Sequence, residues 1–132
     1  MKRILSVLLI AVIICFSFAG CTKYSSKYTA LMMVSSNDSD SASLNFDSFV
    51  GTRVFKMKNK SNSDKTLEYS GKIEGGNARV YYDNESEKTE LFSLATDEQK
   101  NSSVTIKKKS TVYVIIEADS KCSNGEFKFE IK

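Results

Sequence analysis

Residues 125–132 read Gly125-Glu126-Phe127-Lys128-Phe129-Glu130-Ile131-Lys132, a strict alternation of apolar and charged side chains. Successive side chains of a β-strand point to opposite faces of a sheet, so the apolar residues here share one face and the charged residues share the other. Residues 65–74 alternate in the same way, with Leu67, Tyr69, Gly71 and Ile73 on one face. Both stretches predict half-buried antiparallel strands.

The same alternation recurs along the chain from residue 43, separated by polar turn segments at near-regular intervals. Further strands are predicted at 44–49, 51–58, 77–83, 89–95, 103–107 and 111–118. Gly75 and Gly76 predict a tight hairpin between 65–74 and 77–83, because glycine adopts the positive φ of such turns. A second hairpin is predicted between 111–118 and 125–131. Regular short strands indicate an all-β sandwich or barrel.

The apolar face of each predicted strand defines the expected core. It comprises Phe46, Phe55, Met57, Leu67, Tyr69, Ile73, Val80, Tyr82, Phe92, Val104, Ile106, Val112, Val114, Ile116, Phe127, Phe129 and Ile131.

The chain has 132 residues, of which 41% are hydrophobic and 27% charged, so it is long enough for one folded domain. Histidine and tryptophan are both absent. Their absence removes the commonest general base and metal ligand, together with the preferred aromatic platform for sugars. A catalytic pair of carboxylates lies in a cleft, and the sequence around Glu68, Glu90 and Glu117 gives no sign of one. We therefore expect a protein that is not an enzyme, with no catalytic residues.

The N-terminus has the pattern of an export signal. Lys2 and Arg3 precede an apolar run over 4–18, which is too short to span a bilayer. The stretch Phe18-Ala19-Gly20-Cys21 resembles the lipobox of bacterial lipoproteins, although leucine is usual where Phe18 stands. The resemblance implies cleavage after residue 20 and a diacylglyceryl and N-acyl (palmitate-type) lipid on Cys21, the one cofactor-like group expected. The protein would then be anchored in the cell membrane on its extracytoplasmic face.

Residues 21–42 are predicted to form the lipidated N-terminus and a serine-rich flexible tether, which leaves 43–132 as the domain. The run 28–34 is apolar, and it fits an edge strand, a lipid contact or a partner contact equally well. Removal of Lys2 and Arg3 leaves 17 basic and 16 acidic residues, which argues against nucleic acid as a partner. Cys122 would be the one free thiol, and it is either semi-buried, paired between molecules or reactive.

Several strand and turn segments resemble small β-sandwich lipoproteins of Gram-positive bacteria. They are Gly51-Thr52, Leu67 to Gly71, Asn77-Ala78-Arg79-Val80, Ile106-Lys107-Lys108, Val112-Tyr113-Val114-Ile115 and Asn124-Gly125-Glu126-Phe127. The resemblance covers most of 44–132. It implies a jelly-roll-like antiparallel sandwich of about eight strands with no assigned function, and it carries no catalytic residue across.

Three clusters are candidates for ligand binding. Tyr81, with Arg79, Asp83 and Tyr113 nearby, has the form of an exposed aromatic among polar groups that binds sugars. Asp83, Glu85 and Glu87 resemble a calcium-binding loop in charge, but their spacing matches no EF-hand loop, so a solvated turn competes with a metal site. The run 107–109 contains three lysines, which could contact teichoic acid or anionic lipid headgroups or could simply serve solubility.

We therefore expect a membrane-anchored surface lipoprotein with a non-catalytic interaction module. Its partner would be a protein of the envelope, reached through a strand face or an edge strand. The alternative is a module that binds carbohydrate or cell-wall polymer. A stress or immunity factor that protects the envelope is a third hypothesis.

Overall fold

A computed structural model describes residues 23–132. The predicted signal peptide, 1–20, and the predicted lipidation site, Cys21, lie outside these residues. The eight strands are β1 (Lys27–Leu31), β2 (Val34–Asn37), β3 (Ser41–Asn59), β4 (Lys65–Lys72), β5 (Ala78–Asp83), β6 (Thr89–Leu94), β7 (Gln99–Ile106) and β8 (Ser110–Ile131). No helix that could cross a membrane occurs within the described part of the chain.

Two long strands, β3 and β8, build the fold. They pair antiparallel from Ser41 opposite Glu130 to Asn59 opposite Ser110, and the register shifts between Phe49 and Gly51. Gly51 has a φ of 119°, and a Cβ there would meet the backbone of Lys27, so this irregularity requires glycine. At the bend the two strands leave one layer of the fold and enter the other.

Each layer uses one half of the β3 and β8 pair. The first layer has the order β2, β3, β8, β4, β7, and the second has the order β1, β3, β8, β5, β6. The layers pack face to face through aromatic rings. The ring centres of Phe55 and Phe129 are 6.2 Å apart. The ring of Tyr69 stacks on that of Phe92, with 5.3 Å between the ring centres and an angle of 1° between the ring planes. The all-β sandwich is therefore confirmed.

The predicted core is also confirmed. Every side chain assigned to it by alternation is either buried or packed against the buried cluster. Four are only partly buried, namely Tyr69, Tyr82, Val104 and Ile131. Alternation succeeds because each strand keeps one face toward the space between the layers.

The predicted tether is corrected over 27–42. Strands β1 and β2 pair with β3, with Lys27 opposite Thr52 and Val34 opposite Asn45, and β3 itself begins at Ser41. Of the three interpretations of 28–34, the structure contains the edge strand. The serine-rich piece pairs through its backbone, so its low apolar content does not prevent strand formation.

Both predicted hairpins are wrong. Strand β4 pairs with β7 and β8, whereas β5 pairs with β6 and β8, so Gly75 and Gly76 carry the chain from the first layer to the second. Gly75 bridges to Ser123, and Gly76, at φ 91°, would clash with the Lys121 carbonyl if it had a Cβ. The segments predicted at 111–118 and 125–131 are one strand, β8. Periodicity identifies the faces of a strand but not its neighbours.

Candidate functional site

The structure divides the predicted sugar site into two parts. Arg79 and Tyr81 lie on the outer face of the second layer. The Nζ atom of Lys88 sits 4.4 Å from the centre of the Tyr81 ring and forms a 2.6 Å ion pair with Glu117. This ring face is therefore covered by an ammonium group rather than open for stacking on a sugar.

Asp83 and Tyr113 instead hold the start of the described chain. The Asp83 carboxylate is buried, and its Oδ2 accepts hydrogen bonds from Lys23 Nζ and from the Tyr24 hydroxyl, both at 2.7 Å. The ring of Tyr24 packs edge-on against Tyr113, 5.4 Å away. We call Lys23, Tyr24, Asp83 and Tyr113 the N-terminal latch.

The latch shifts the pKa values of its own members. Burial of Asp83 favours its neutral form, but hydrogen bonds from Lys23, Tyr24 and the Ser86 amide outweigh burial and lower the pKa of the carboxyl. Burial, together with the bond to Asp83, raises the pKa of Tyr24 to about 12. Asp83 is therefore ionised and Tyr24 protonated at neutral pH.

The three acids considered for calcium do not converge. Asp83 belongs to the latch, Glu85 accepts the Thr111 amide at 2.9 Å, and Glu87 is exposed. Within residues 23–132 no three acidic or sulfur-bearing side chains lie together as a metal ion requires.

The three lysines of 107–109 lie in the connection between β7 and β8. Their backbone amides donate hydrogen bonds to Asn84 Oδ1, Asp64 Oδ1 and the Ser61 carbonyl, respectively.

Cys122 is fully buried, and its thiol donates to the Asn77 carbonyl at 3.0 Å. Burial raises the pKa of the Cys122 thiol despite that hydrogen bond. The thiol is thus placed for packing rather than for pairing between molecules.

A polar groove that the sequence did not reveal crosses the outer face of the first layer. Its volume is about 640 Å³. One cross-strand row of side chains, fixed by the register, forms its floor: Ser36, Ser43, Lys128, Ser70 and Asn101. A second row runs beside it: Ser41, Glu130, Glu68 and Ser103. Serines on β2, β3, β4 and β7 leave space beside the longer side chains of Lys128, Glu130 and Glu68.

The groove is nearly balanced in charge. Glu68, one of the carboxylates considered for catalysis, forms a 3.0 Å ion pair with Lys132, and Lys128 forms one of the same length with Glu126. The bond to Glu68 raises the pKa of Lys132. Glu68 and Glu130 face each other directly, an arrangement that is unfavourable unless cations or ligand donors lie nearby.

The sequence contained a partial signal for this groove. Ser41, Ser43, Ser70 and Ser103 occupy outward positions, where larger polar side chains are common. Their significance depends on β4 lying beside β8, and the incorrect hairpin prediction placed β4 elsewhere.

Comparisons with protein-family models and with curated proteins each give no match. Among solved structures, the chain is similar to the pre-peptidase C-terminal domain of a collagenase from Bacillus anthracis. That similarity has a TM-score of 0.45 and 13% identity, and it covers 81% of this chain and 89% of that one.

Two carbohydrate-binding modules are similar at a comparable level. One is a family 29 module complexed with mannohexaose, with a TM-score of 0.40, 14% identity and coverage of 82% and 90% of the two chains. The other is described as CBM4, with a TM-score of 0.40, 9% identity and coverage of 81% and 78%. These values do not assign the ligand of either protein to this chain.

Proposed function

We propose that this protein is a membrane-anchored, non-catalytic module that binds a neutral, hydroxyl-rich glycan in the polar groove. The observation that carries the proposal is the row Ser36, Ser43, Lys128, Ser70 and Asn101, which presents three serines, a lysine and an asparagine across five adjacent strands. Four strand spacings of about 4.8 Å give the row a length of about 19 Å. That length suits a short stretch of polymer.

The chemistry of the lining supports a glycan. Hydroxyl and amide groups both donate and accept hydrogen bonds, and the carboxylates of Glu68 and Glu130 are strong acceptors for sugar hydroxyls. Tyr69 and Phe129 border the groove, but their rings belong to the core. Recognition would therefore depend on hydrogen bonds rather than on stacking.

The charge of the lining supports a neutral polymer over teichoic acid. The groove contains two carboxylates, Glu68 and Glu130, and one ammonium, that of Lys128. A polyanion would meet more negative than positive charge there, and like charges disfavour association. The lysines of 107–109 are not among the residues that line it.

The anchor is proposed from the N-terminal sequence. The basic start, the apolar run and Phe18-Ala19-Gly20-Cys21 support lipidation of Cys21 and display on the extracytoplasmic face of the membrane. Two acyl chains supply the two hydrophobic signals that stable anchoring needs.

Sedimentation of the chain from residue 22 to 132 with insoluble polysaccharides tests glycan binding. We expect retention by isolated cell wall stripped of teichoic acid, and little dependence on salt, because charge contributes little. Ser70→Leu should abolish retention by filling the groove, whereas Ser93→Leu, at an exposed position of β6, should not. Tyr81→Ala should also leave retention unchanged. Loss of binding in Tyr81→Ala but not in Ser70→Leu would instead assign the glycan to the second layer.

A protein partner in the envelope is the second candidate. The observation in its favour is β7, which among the described residues pairs only with β4 and so presents one unpaired edge. An extended segment of a partner could add a strand there. Absence of retention by any wall fraction, together with a crosslink from β7 to a protein on intact cells, would favour this candidate over the glycan.

A further inference from the structure

We propose that Arg53, together with the hydroxyls of Ser26 and Ser35, binds an oxyanion, either a carboxylate or a phosphate group, at the side of the sandwich between β1 and β2. The site is separate from the polar groove, because Ser35 and the groove residue Ser36 point to opposite faces of β2. The inference therefore does not depend on the glycan.

Arg53 is a cation on the inner face of a strand. Alternation along β3 places it on the same face as Phe55 and Met57, both of which are buried. The guanidinium carbon lies 4.6 Å from the centre of the Phe55 ring and 5.9 Å from that of the Tyr28 ring. The two rings attract the positive charge, but they supply no oxygen to accept hydrogen bonds from the guanidinium.

The charge of Arg53 has no acidic partner. None of the ion pairs in the described part of the chain includes it, although a cation that is partly withdrawn from water is normally paired. Glu117, on the neighbouring β8, is paired with Lys88. Residues 24–37 and 48–58 contain three lysines and no acidic residue, so the charge around Arg53 is positive.

The guanidinium is also short of acceptors. Nη1 donates to Ser26 Oγ at 3.5 Å and to the Val54 carbonyl at 3.3 Å, and Nη2 donates to Ser35 Oγ at 3.3 Å. All three distances exceed the range of about 2.7 to 3.2 Å that is usual for such bonds. Nε is buried, and no atom of residues 23–132 accepts its hydrogen. A buried donor without a partner indicates that a water molecule or an ion completes the structure.

The two serine hydroxyls add to the excess of donors. Ser26 Oγ accepts the Val54 amide at 2.8 Å as well as Arg53 Nη1, and Ser35 Oγ accepts Arg53 Nη2. Among the described residues, neither hydroxyl has an acceptor for its own hydrogen. Ser26 is exposed and Ser35 is half-buried, so a ligand can reach both from solvent.

This set of groups selects the chemistry of the ligand. Donors that surround a positive charge and lack acceptors disfavour a cation and favour an anion with several oxygens. The planar guanidinium matches the paired oxygens of a carboxylate or a phosphate group. Binding would replace the long bonds to neutral hydroxyls with shorter, charge-assisted bonds.

The test is a ¹H–¹⁵N NMR titration of the chain from residue 22 to 132, which contains all eight strands and two arginines, Arg53 and Arg79. The Nε–H signal of Arg53 reports on the proposed site, and that of Arg79, on the outer face of the second layer, is the internal control. Sodium phosphate and sodium acetate are titrated separately, with sodium chloride at matched ionic strength as the reference. We expect the Arg53 signal to shift and saturate with at least one oxyanion, while the Arg79 signal stays in place.

Three variants separate binding from a general effect of charge, with the Val54 amide as the common reporter. Arg53→Lys keeps the charge but lacks the planar fork, and it should weaken binding at least about tenfold. Ser35→Ala leaves Arg53 in place but removes one donor, and it should weaken binding roughly three- to tenfold. Ser36→Ala is the matched control, because this adjacent serine faces the groove, and it should bind as tightly as the parent.

The outcomes distinguish the ligand classes and can overturn the site. Saturation by phosphate alone would assign a phosphate group, and saturation by acetate alone would assign a carboxylate. Shifts equal to those in chloride, or affinities unchanged in both Arg53→Lys and Ser35→Ala, would overturn the proposal. Absence of a saturable shift with either oxyanion would do the same, and Arg53 would then serve only to cap the core beside Phe55.

Discussion

The hydroxyl of Tyr24 donates a 2.7 Å hydrogen bond to Oδ2 of Asp83, 59 positions further along the chain. Lys23 Nζ contacts the same oxygen, and the Ser86 amide donates to Oδ1 at 2.9 Å. The start of the described chain is therefore fastened to the end of β5. The latch holds residues 23 and 24, while β1 and β2 hold the rest of the predicted tether against β3.

Asp83→Asn should loosen the latch. The substitution removes the charge that strengthens the hydrogen bonds from Lys23 and Tyr24, and bonds to charged groups contribute about 1.5 to 3 kcal/mol. We expect a loss of about 2 kcal/mol in the free energy of unfolding, measured by denaturant titration, and faster hydrogen exchange over β1. Glu87→Gln, at an exposed acid four positions away, is the control and should change neither. Equal unfolding midpoints for Asp83→Asn and the parent protein would contradict the latch.

The latch should also depend on pH at both extremes. The folded pKa of Asp83 is lowered, so its stabilisation is complete above the unfolded value near 3.8 and is lost as the pH falls through the lower folded value. The folded pKa of Tyr24 is raised from 10.0 to about 12, so its stabilisation is complete below pH 10 and is lost as the pH rises through 12. The measurement is the difference in unfolding free energy between the parent and Tyr24→Phe across pH. A difference that stays constant from pH 8 to 12 would show that the latch does not raise the pKa of Tyr24.

The sequence predicted the faces of the strands but not their partners. Side-chain alternation in residues such as Phe127 and Phe129 reports burial directly, because every second residue must enter the core. Pairing depends on contacts far apart in the chain, such as Tyr24 with Asp83, and no local pattern encodes them. The groove was missed for the same reason, since Ser70 and Lys128 become neighbours only when β4 pairs with β8.

Cys122 should be unreactive in the folded protein. Its side chain is fully buried, and burial raises the pKa of the thiol, so little thiolate is available near neutral pH. In the chain from residue 22 to 132, where Cys122 is the single cysteine, we expect iodoacetamide to label Cys122 only after unfolding. A Ser103→Cys variant of that chain should be labelled at both of its thiols in denaturant and at one without it. Mass spectrometry measures the labelling. Rapid labelling of Cys122 in the native protein would show that the structure around Cys122 opens readily.

Asn84 should be intolerant of a carboxylate, although it lies in a segment that the sequence predicts as a solvated turn. The side chain is buried, with its Nδ2 donating to the Ser110 hydroxyl at 2.8 Å and to the Thr111 carbonyl at 2.9 Å. Its Oδ1 accepts the Lys107 amide at 2.9 Å. Asn84→Asp keeps the shape but replaces the donor with an acceptor that faces a carbonyl oxygen.

A buried polar group left without a partner costs about 1 to 3 kcal/mol, and a buried charge costs more. We therefore expect Asn84→Asp to lower the free energy of unfolding by at least about 2 kcal/mol at pH 7, with part of the loss recovered at pH 4, where the new carboxyl begins to protonate. Asn101→Asp, on the exposed β7, is the matched control and should change stability by less than about 0.5 kcal/mol. Equal stabilities for the two variants would mean that Asn84 is hydrated, and that the connections around 84 and 107–110 are not joined by its side chain.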